Sequence, residues 1–231
     1  MSTINFAARF EYLSAIETHW PEVLGSLRKK VFPVYLRCLE SRGERLSVEK
    51  LRNLLNAPKR NRLPEMQPLA HAVRGWAKHF EFRDTWFRDV ALQTMHGWDE
   101  GGAVSKWTYL PEELRPFQFQ VNFGYWSPHL TSWTDYSRFA DQKFSREKAA
   151  YRAAARKTWG EGSPSLSQHA VWTVLYQRDK SPAAIQRQHR KTTGRKVSTA
   201  NILKCVHEFA AAAGLTLRGS KTRPPKNTTA G

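Results

Sequence analysis

Ser181-Pro182-Ala183-Ala184-Ile185, then Thr192-Thr193-Gly194, then Ser198-Thr199-Ala200-Asn201-Ile202 mark out the part of this chain whose fold is most directly readable. A serine hydroxyl accepts from N–H groups that lack partners in the first turn of a helix. A proline just after it has no N–H to leave unpaired, so Ser181-Pro182 predicts a helix start. Thr192-Thr193-Gly194 breaks that helix, and Ser198 caps the next. Ile202, Val206, Phe209 and Ala213 then recur at i, i+4, i+7 and i+11, one buried helical stripe. Gly214 ends the stripe, with Leu215 as the apolar contact of a glycine cap. Upstream, residues 167–178 form a further helix that buries Val171, Val174 and Leu175, with Trp172 nearby. The spacing therefore predicts three short helices within 165–217.

A short helix beginning Ser-Pro-Ala-Ala-Ile, a glycine-containing turn and a helix with a polar start form the layout of a helix-turn-helix. The run 181–185 through 197–202 resembles the helix-turn-helix of sigma-factor region four and of related bacterial regulators. The likeness covers about fifty residues and implies a DNA-binding module. Two departures accompany it: the turn at 191–197 exceeds the usual length, and the upstream half lacks the region-two features of a working sigma factor. The remainder resembles uncharacterised bacterial proteins of the same arrangement, and no activity carries over from them.

On the third helix, Thr199, Ala200, Asn201, Lys204 and Glu208 lie off the apolar stripe. The Asn201 amide suits the edge of adenine, and Lys204 suits guanine or a phosphate. Ser198 and Thr199 place hydroxyls beside the helix N-terminus, where free N–H groups favour phosphate. Arg190, Lys191, Arg195 and Lys196 flank the turn as phosphate contacts. Ser198, Thr199, Asn201 and Lys204 are thus the base-reading candidates, with a solvated helix face as the plainer alternative.

Charge supports a polyanionic partner. Residues 1–142 hold 19 Lys+Arg and 16 Asp+Glu, a net of +3; residues 143–231 hold 18 and 4, a net of +14. The natural partner of so basic a block is nucleic acid. Double-stranded DNA is favoured, with RNA or single-stranded DNA as alternatives. Anionic membrane would need Trp, Phe or Leu beside the lysines, yet the segments after Arg178 carry one large aromatic residue, Phe209. Residues 218–231 are expected to be a disordered basic tail, where Arg218, Lys221 and Arg223 add phosphate contacts. Lys59, Arg60 and Arg62 in a basic loop, with Arg152, Arg156 and Lys157, form a second basic patch.

Outward from this module, residues 131–159 predict a long basic helix capped by Ser132 or Thr134, followed by a hinge at Gly160-Glu161-Gly162-Ser163-Pro164. Residues 1–130 are expected to form a helical effector or partner-binding domain. Helices fall at 5–19, with Phe6, Phe10, Leu13 and Ile16, and at 22–41, with Val23, Leu27, Val31 and Val34. Pro33 should end or kink the second run. Ser47 is a partial cap for a helix carrying Leu51, Leu54 and Leu55. Two further helices occupy 65–98; the first buries Leu69, Val73, Trp76 and Phe80. Asp84 caps the second, which buries Trp86, Val90, Leu92 and Trp98. Phe117-Gln118-Phe119-Gln120-Val121 alternates strictly, predicting one short strand, hairpin or extended crossover.

The fold class is therefore mainly α: a helical N-terminal domain with a short extended element, a long connecting helix and a C-terminal three-helix module. Of the 231 residues, 40% are hydrophobic and nine are tryptophan, enough for a packed core and too many for a disordered chain. No run of about 18 apolar residues is present to span a bilayer. Met1-Ser2-Thr3-Ile4-Asn5 lacks a secretory signal, so a cytoplasmic, nucleoid-associated protein is expected. Cys38 and Cys205 read as buried apolar residues.

Little chemistry is visible. The eight histidines show no metal-ligand spacing, and no nucleophile or phosphate-loop motif occurs, so no enzyme activity, metal or cofactor is expected. The acidic set Glu81, Asp84, Asp89, Asp99 and Glu100 leaves a metal-dependent nuclease as a third reading. Trp76, Trp86, Trp98, Trp107, Trp126 and Trp133 could stack exposed bases, though core packing is the commoner use of such spacing. The leading expectation is a transcriptional regulator, acting as a homodimer or with a protein partner. Second is an accessory nucleic-acid-binding subunit of a mobile-element or defence complex, without sequence readout.

Overall fold

The structure, a computed structural model, describes residues 5–42, 47–56, 63–109, 121–159 and 164–218. Within them the chain is mainly α-helical, and no strand occurs among the described residues. The helices are α1 (Phe6–His19), α2 (Glu22–Ser26), α3 (Phe32–Arg42), α4 (Val48–Asn56), α5 (Gln67–His79), α6 (Thr85–Asp99), α7 (Trp133–Trp159), α8 (Pro164–Gln177), α9 (Pro182–Thr193) and α10 (Thr199–Ala213). Residues 117–120 of the alternating segment lie outside the described residues, and Val121 has no regular structure.

Pro33 does not end its helical run, which continues from Phe32 to Arg42. A π-helical turn, Leu27–Val31, joins α2 to α3 directly upstream. A proline lacks an N–H and its ring crowds the carbonyl of the preceding turn, and a wider turn accommodates both. The inserted residue also rotates the buried face. Val23, Leu27 and Val31 are buried, but the next core positions are Tyr35 and Cys38, while Val34 is only half-buried.

A single large core links α1, α3, α5 and α6. In α6 nine residues are buried, including Trp86, Phe87, Val90, Met95 and Trp98, so this helix is enclosed on nearly every side. Aromatic rings fill the layer beside it: Phe82 stacks on Phe87 at 4.1 Å, and Trp20 meets Phe80 edge-on at 5.4 Å. Phe10 faces outward instead, against Tyr109 at 5.3 Å.

The helices after the expected hinge pack against this core. Ala170 and Val174 of α8, and Phe209 and Ala213 of α10, belong to the same apolar cluster as Tyr12 and Ile16 of α1. A second cluster joins Trp172 and Leu175 of α8, Ile185 of α9 and Ile202, Cys205, Val206 and Ala210 of α10. Helix α8 therefore has two buried faces. This is why Trp172 is buried where Val171 is only half-buried, the reverse of what one stripe predicts. It also begins at Pro164, earlier than the apolar pattern indicates.

Candidate nucleic-acid interface

Both α9 and α10 start as their sequences dictate. The Ser181 hydroxyl accepts from the Ala184 N–H at 3.2 Å, and Pro182 occupies the first turn. The Ser198 hydroxyl accepts from the Asn201 N–H at 3.2 Å. Gly194 closes α9 at φ +72°, a left-handed backbone that suits glycine. Gln186 donates from its amide to the Val197 carbonyl at 2.7 Å, and the Arg195 N–H donates to the Thr193 hydroxyl at 3.2 Å. These bonds hold the connection between the helices in one shape. Behind it, His189 is buried with its ring edge-on to Trp172 at 5.2 Å.

The far end of α10 is anchored in the core. Gly214 (φ +64°) donates to the Ala211 carbonyl, and the Leu215 N–H donates to the Ala210 carbonyl at 2.8 Å, the two bonds of a glycine-terminated helix. The last carbonyls take partners from the N-terminal helices. The Asn5 N–H donates to Ala212 at 2.8 Å, Arg9 Nε to Ala213 at 3.0 Å and the Trp86 indole to Gly214 at 3.1 Å. Asp84, the expected cap of α6, has the extended backbone of a cap but makes no side-chain bond to that helix. Its carboxylate instead accepts from the Thr216 N–H at 2.8 Å and the Thr216 hydroxyl at 2.7 Å.

Helix α10 is thus held by its C-terminal half and presents its N-terminal half. Ser198, Asn201 and Lys204 are exposed and Thr199 is half-exposed, while Ile202, Val206 and Phe209 face inward. Lys204 lies 3.9 Å from Glu208, with 71% of its side chain exposed, so this pairing is weak. Arg190, Lys191, Arg195 and Lys196 are all exposed beside it. So is Arg187, which the sequence reading overlooked although it sits about one turn before Arg190 and Lys191. Among the described residues, none of these five cations has a carboxylate partner.

The remaining candidates have other placements. Arg218 is folded inward with 20% of its side chain exposed, paired with Asp179 and lying over the Tyr176 ring at 5.2 Å. Arg152 and Arg156 are exposed on α7, and Lys157 belongs to the same helix. Lys59, Arg60, Arg62, Lys221 and Arg223 lie outside the described residues.

Both cysteines are buried. Burial pushes the Cys205 thiol up, with Glu208 adding to the effect, and burial likewise raises Cys38, whose thiol donates to the Glu65 carbonyl at 3.1 Å. Burial also holds the His169 imidazole below its ordinary range, against the opposing charge of Glu208. No group of three or more His, Cys, Asp or Glu able to hold a metal ion occurs among the described residues. No helix among them is long and apolar enough to cross a membrane. Compared with models of known families, with curated proteins and with solved structures, the chain matches none.

Proposed function

We infer that this protein binds double-stranded DNA through the surface formed by α9, its connection to α10 and the exposed first half of α10. The observation that carries this reading is the set of five exposed cations without carboxylate partners around the start of an outward-facing helix. Residues 181–214 contain six Lys or Arg against one acidic residue, Glu208. Such a surface gains affinity by releasing counterions from phosphates. Ser198, Thr199, Asn201 and Lys204 then lie where base edges would be met, as in a helix-turn-helix. Reading one half-site is weak, so a regulator built this way works as a dimer or with a partner protein held by the N-terminal helices.

Random-sequence selection on duplex DNA, at physiological salt with a Mg²⁺ lane watched for cleavage, tests this reading. An enriched motif, two-fold in a dimer, is the expected outcome. Retention without enrichment would replace the regulator by an accessory binder that does not read sequence, and cut DNA would restore the nuclease.

A further inference from the structure

Eight of the nine tryptophans have described side chains, and these divide into two groups with different surroundings. Trp76, Trp86, Trp98 and Trp172 are buried, and Trp20 and Trp107 pack half-buried against the main core. Trp126 and Trp133 instead have 40% and 61% of their surface exposed, beside Tyr125, Leu130 and Phe139, which are also exposed. Isolated exposed apolar residues need no explanation, but a contiguous aromatic group does.

This group is also held in place. The Trp126 indole N–H donates to the Thr131 carbonyl at 3.0 Å, across the turn at residues 128–130. Its ring meets Trp133 edge-on at 5.2 Å, and Trp133 in turn lies 5.8 Å from Tyr136. The Tyr136 hydroxyl donates to the Gly124 carbonyl at 3.5 Å. Lys143 donates to the Asn122 carbonyl at 2.6 Å while its ammonium lies over the Phe139 ring at 5.7 Å. The segment before α7 is therefore fastened onto the first turns of that helix, and these contacts hold the Trp126, Trp133 and Tyr136 rings together.

Charge and composition narrow the occupant. Helix α7 carries seven Lys or Arg against three Asp or Glu, and it contains no Leu, Ile, Val or Met. A protein-binding groove rewards aliphatic burial, whereas unpaired bases reward π-faces with cations along the path of the backbone; a bilayer interface also takes Trp and Phe beside cations, and vesicle binding is therefore one outcome of the test. From Trp133 to Arg152 the helix rises about 28 Å, long enough to follow several nucleotides.

We propose that Trp126, Trp133 and Tyr136, with the basic side chains of α7, form a platform on which the unpaired bases of single-stranded DNA stack. The choice of DNA over RNA rests on the duplex-binding reading above; the stacking surface itself does not. The protein would then engage duplex and unpaired DNA at separate surfaces, as a factor acting at a melted or processed end requires.

Anisotropy of a labelled oligo(dT) of about twelve nucleotides, titrated with the full chain, tests the platform. Salt-sensitive binding is expected, weakened about tenfold or more by W126A/W133A and largely kept by W133F, because each stacked base contributes appreciably and a phenyl ring still stacks. A thermal melt of the double variant should stay close to that of the parent, since both rings lie outside the two apolar clusters. Duplex binding should survive W126A/W133A, so a failure of either reading is separable from the other.

The proposal falls if oligo(dT) does not bind, or if the double variant binds it as tightly as the parent. Tighter binding of oligo(U) would overturn the choice of DNA. It falls too if the exposed rings mediate self-association or binding to anionic vesicles while oligo(dT) is ignored.

Discussion

Arg9 is a charged side chain inside an apolar core, and its surroundings account for it. Its guanidinium donates to the Ala213 carbonyl at 3.0 Å and to the Tyr109 hydroxyl at 2.9 Å, and lies 4.7 Å from the centre of the Trp86 ring. The C-terminus of α10 is also the negative end of a helix dipole, which favours a cation. Arg9→Met should therefore cost about 2–4 kcal/mol of stability, the range for removing one partner of a buried charged contact. Urea unfolding checks this, and an unchanged midpoint would show that the guanidinium is dispensable. Asn201 and Lys204 make the opposite case, because they are exposed and hold little of the fold. Asn201→Ala and Lys204→Ala should each weaken binding to a selected duplex by about 1–3 kcal/mol while leaving the melt in place. An unchanged sequence profile after both would remove α10 as a reader of bases. His19 and His169 are both held below their ordinary range by burial, with Lys180 adding to the effect at His19. Unfolded histidine titrates near 6.5, so their contribution is full above about pH 6.5 and is lost as the pH falls toward their folded values. Urea midpoints at about pH 7 and pH 5.5 should differ less in H19Q/H169Q than in the parent.

Helix ends are the features most openly encoded. Ser181, Ser198, Gly194 and Gly214 work as caps in the way their residue types dictate, because capping is settled within a few residues. Two other ends use residues poorly suited to the task. Glu81 (φ +57°) and Asp179 (φ +69°) take the left-handed backbone after α5 and α8. Glu81→Gly should gain about 0.5–1 kcal/mol, since relief of that backbone exceeds the entropy glycine adds to the unfolded chain. Asp179→Gly should gain less, because it also removes the partner of Arg218. A lower urea midpoint for Glu81→Gly would contradict the backbone argument. What depended on distant partners was not readable. Asp84 has the position of a cap, yet Thr216 is far along the chain, and no local pattern pairs them. The π-turn shifts the core from Val34 to Tyr35 because helical spacing assumes an uninterrupted helix. The two-sided burial of α8 defeats any search for a single stripe, and the exposure of Trp133 rather than Trp76 depends on which helices enclose each ring.

Across the whole molecule, the excess charge and the anchoring of α10 belong to one arrangement. The C-terminal carbonyls of α10 are tied to α1 and α6 by Asn5, Arg9 and Trp86, and the continuous apolar cluster makes the N-terminal helices the support for its exposed half. The candidate bases and phosphates would thus be met by a surface that is fixed beforehand, which limits the ordering cost of binding. The central claim is that the cations around the start of α10 neutralise DNA phosphates. The most direct measurement is the affinity for one duplex across a range of salt, for the parent and for R190Q/K191Q/R195Q/K196Q, whose replaced side chains are exposed and lie outside both apolar clusters. The account predicts a steep fall of affinity with salt in the parent, and a slope reduced in the variant by about 0.9 for each phosphate that is no longer neutralised. Equal affinity and equal slope in the two proteins would contradict it.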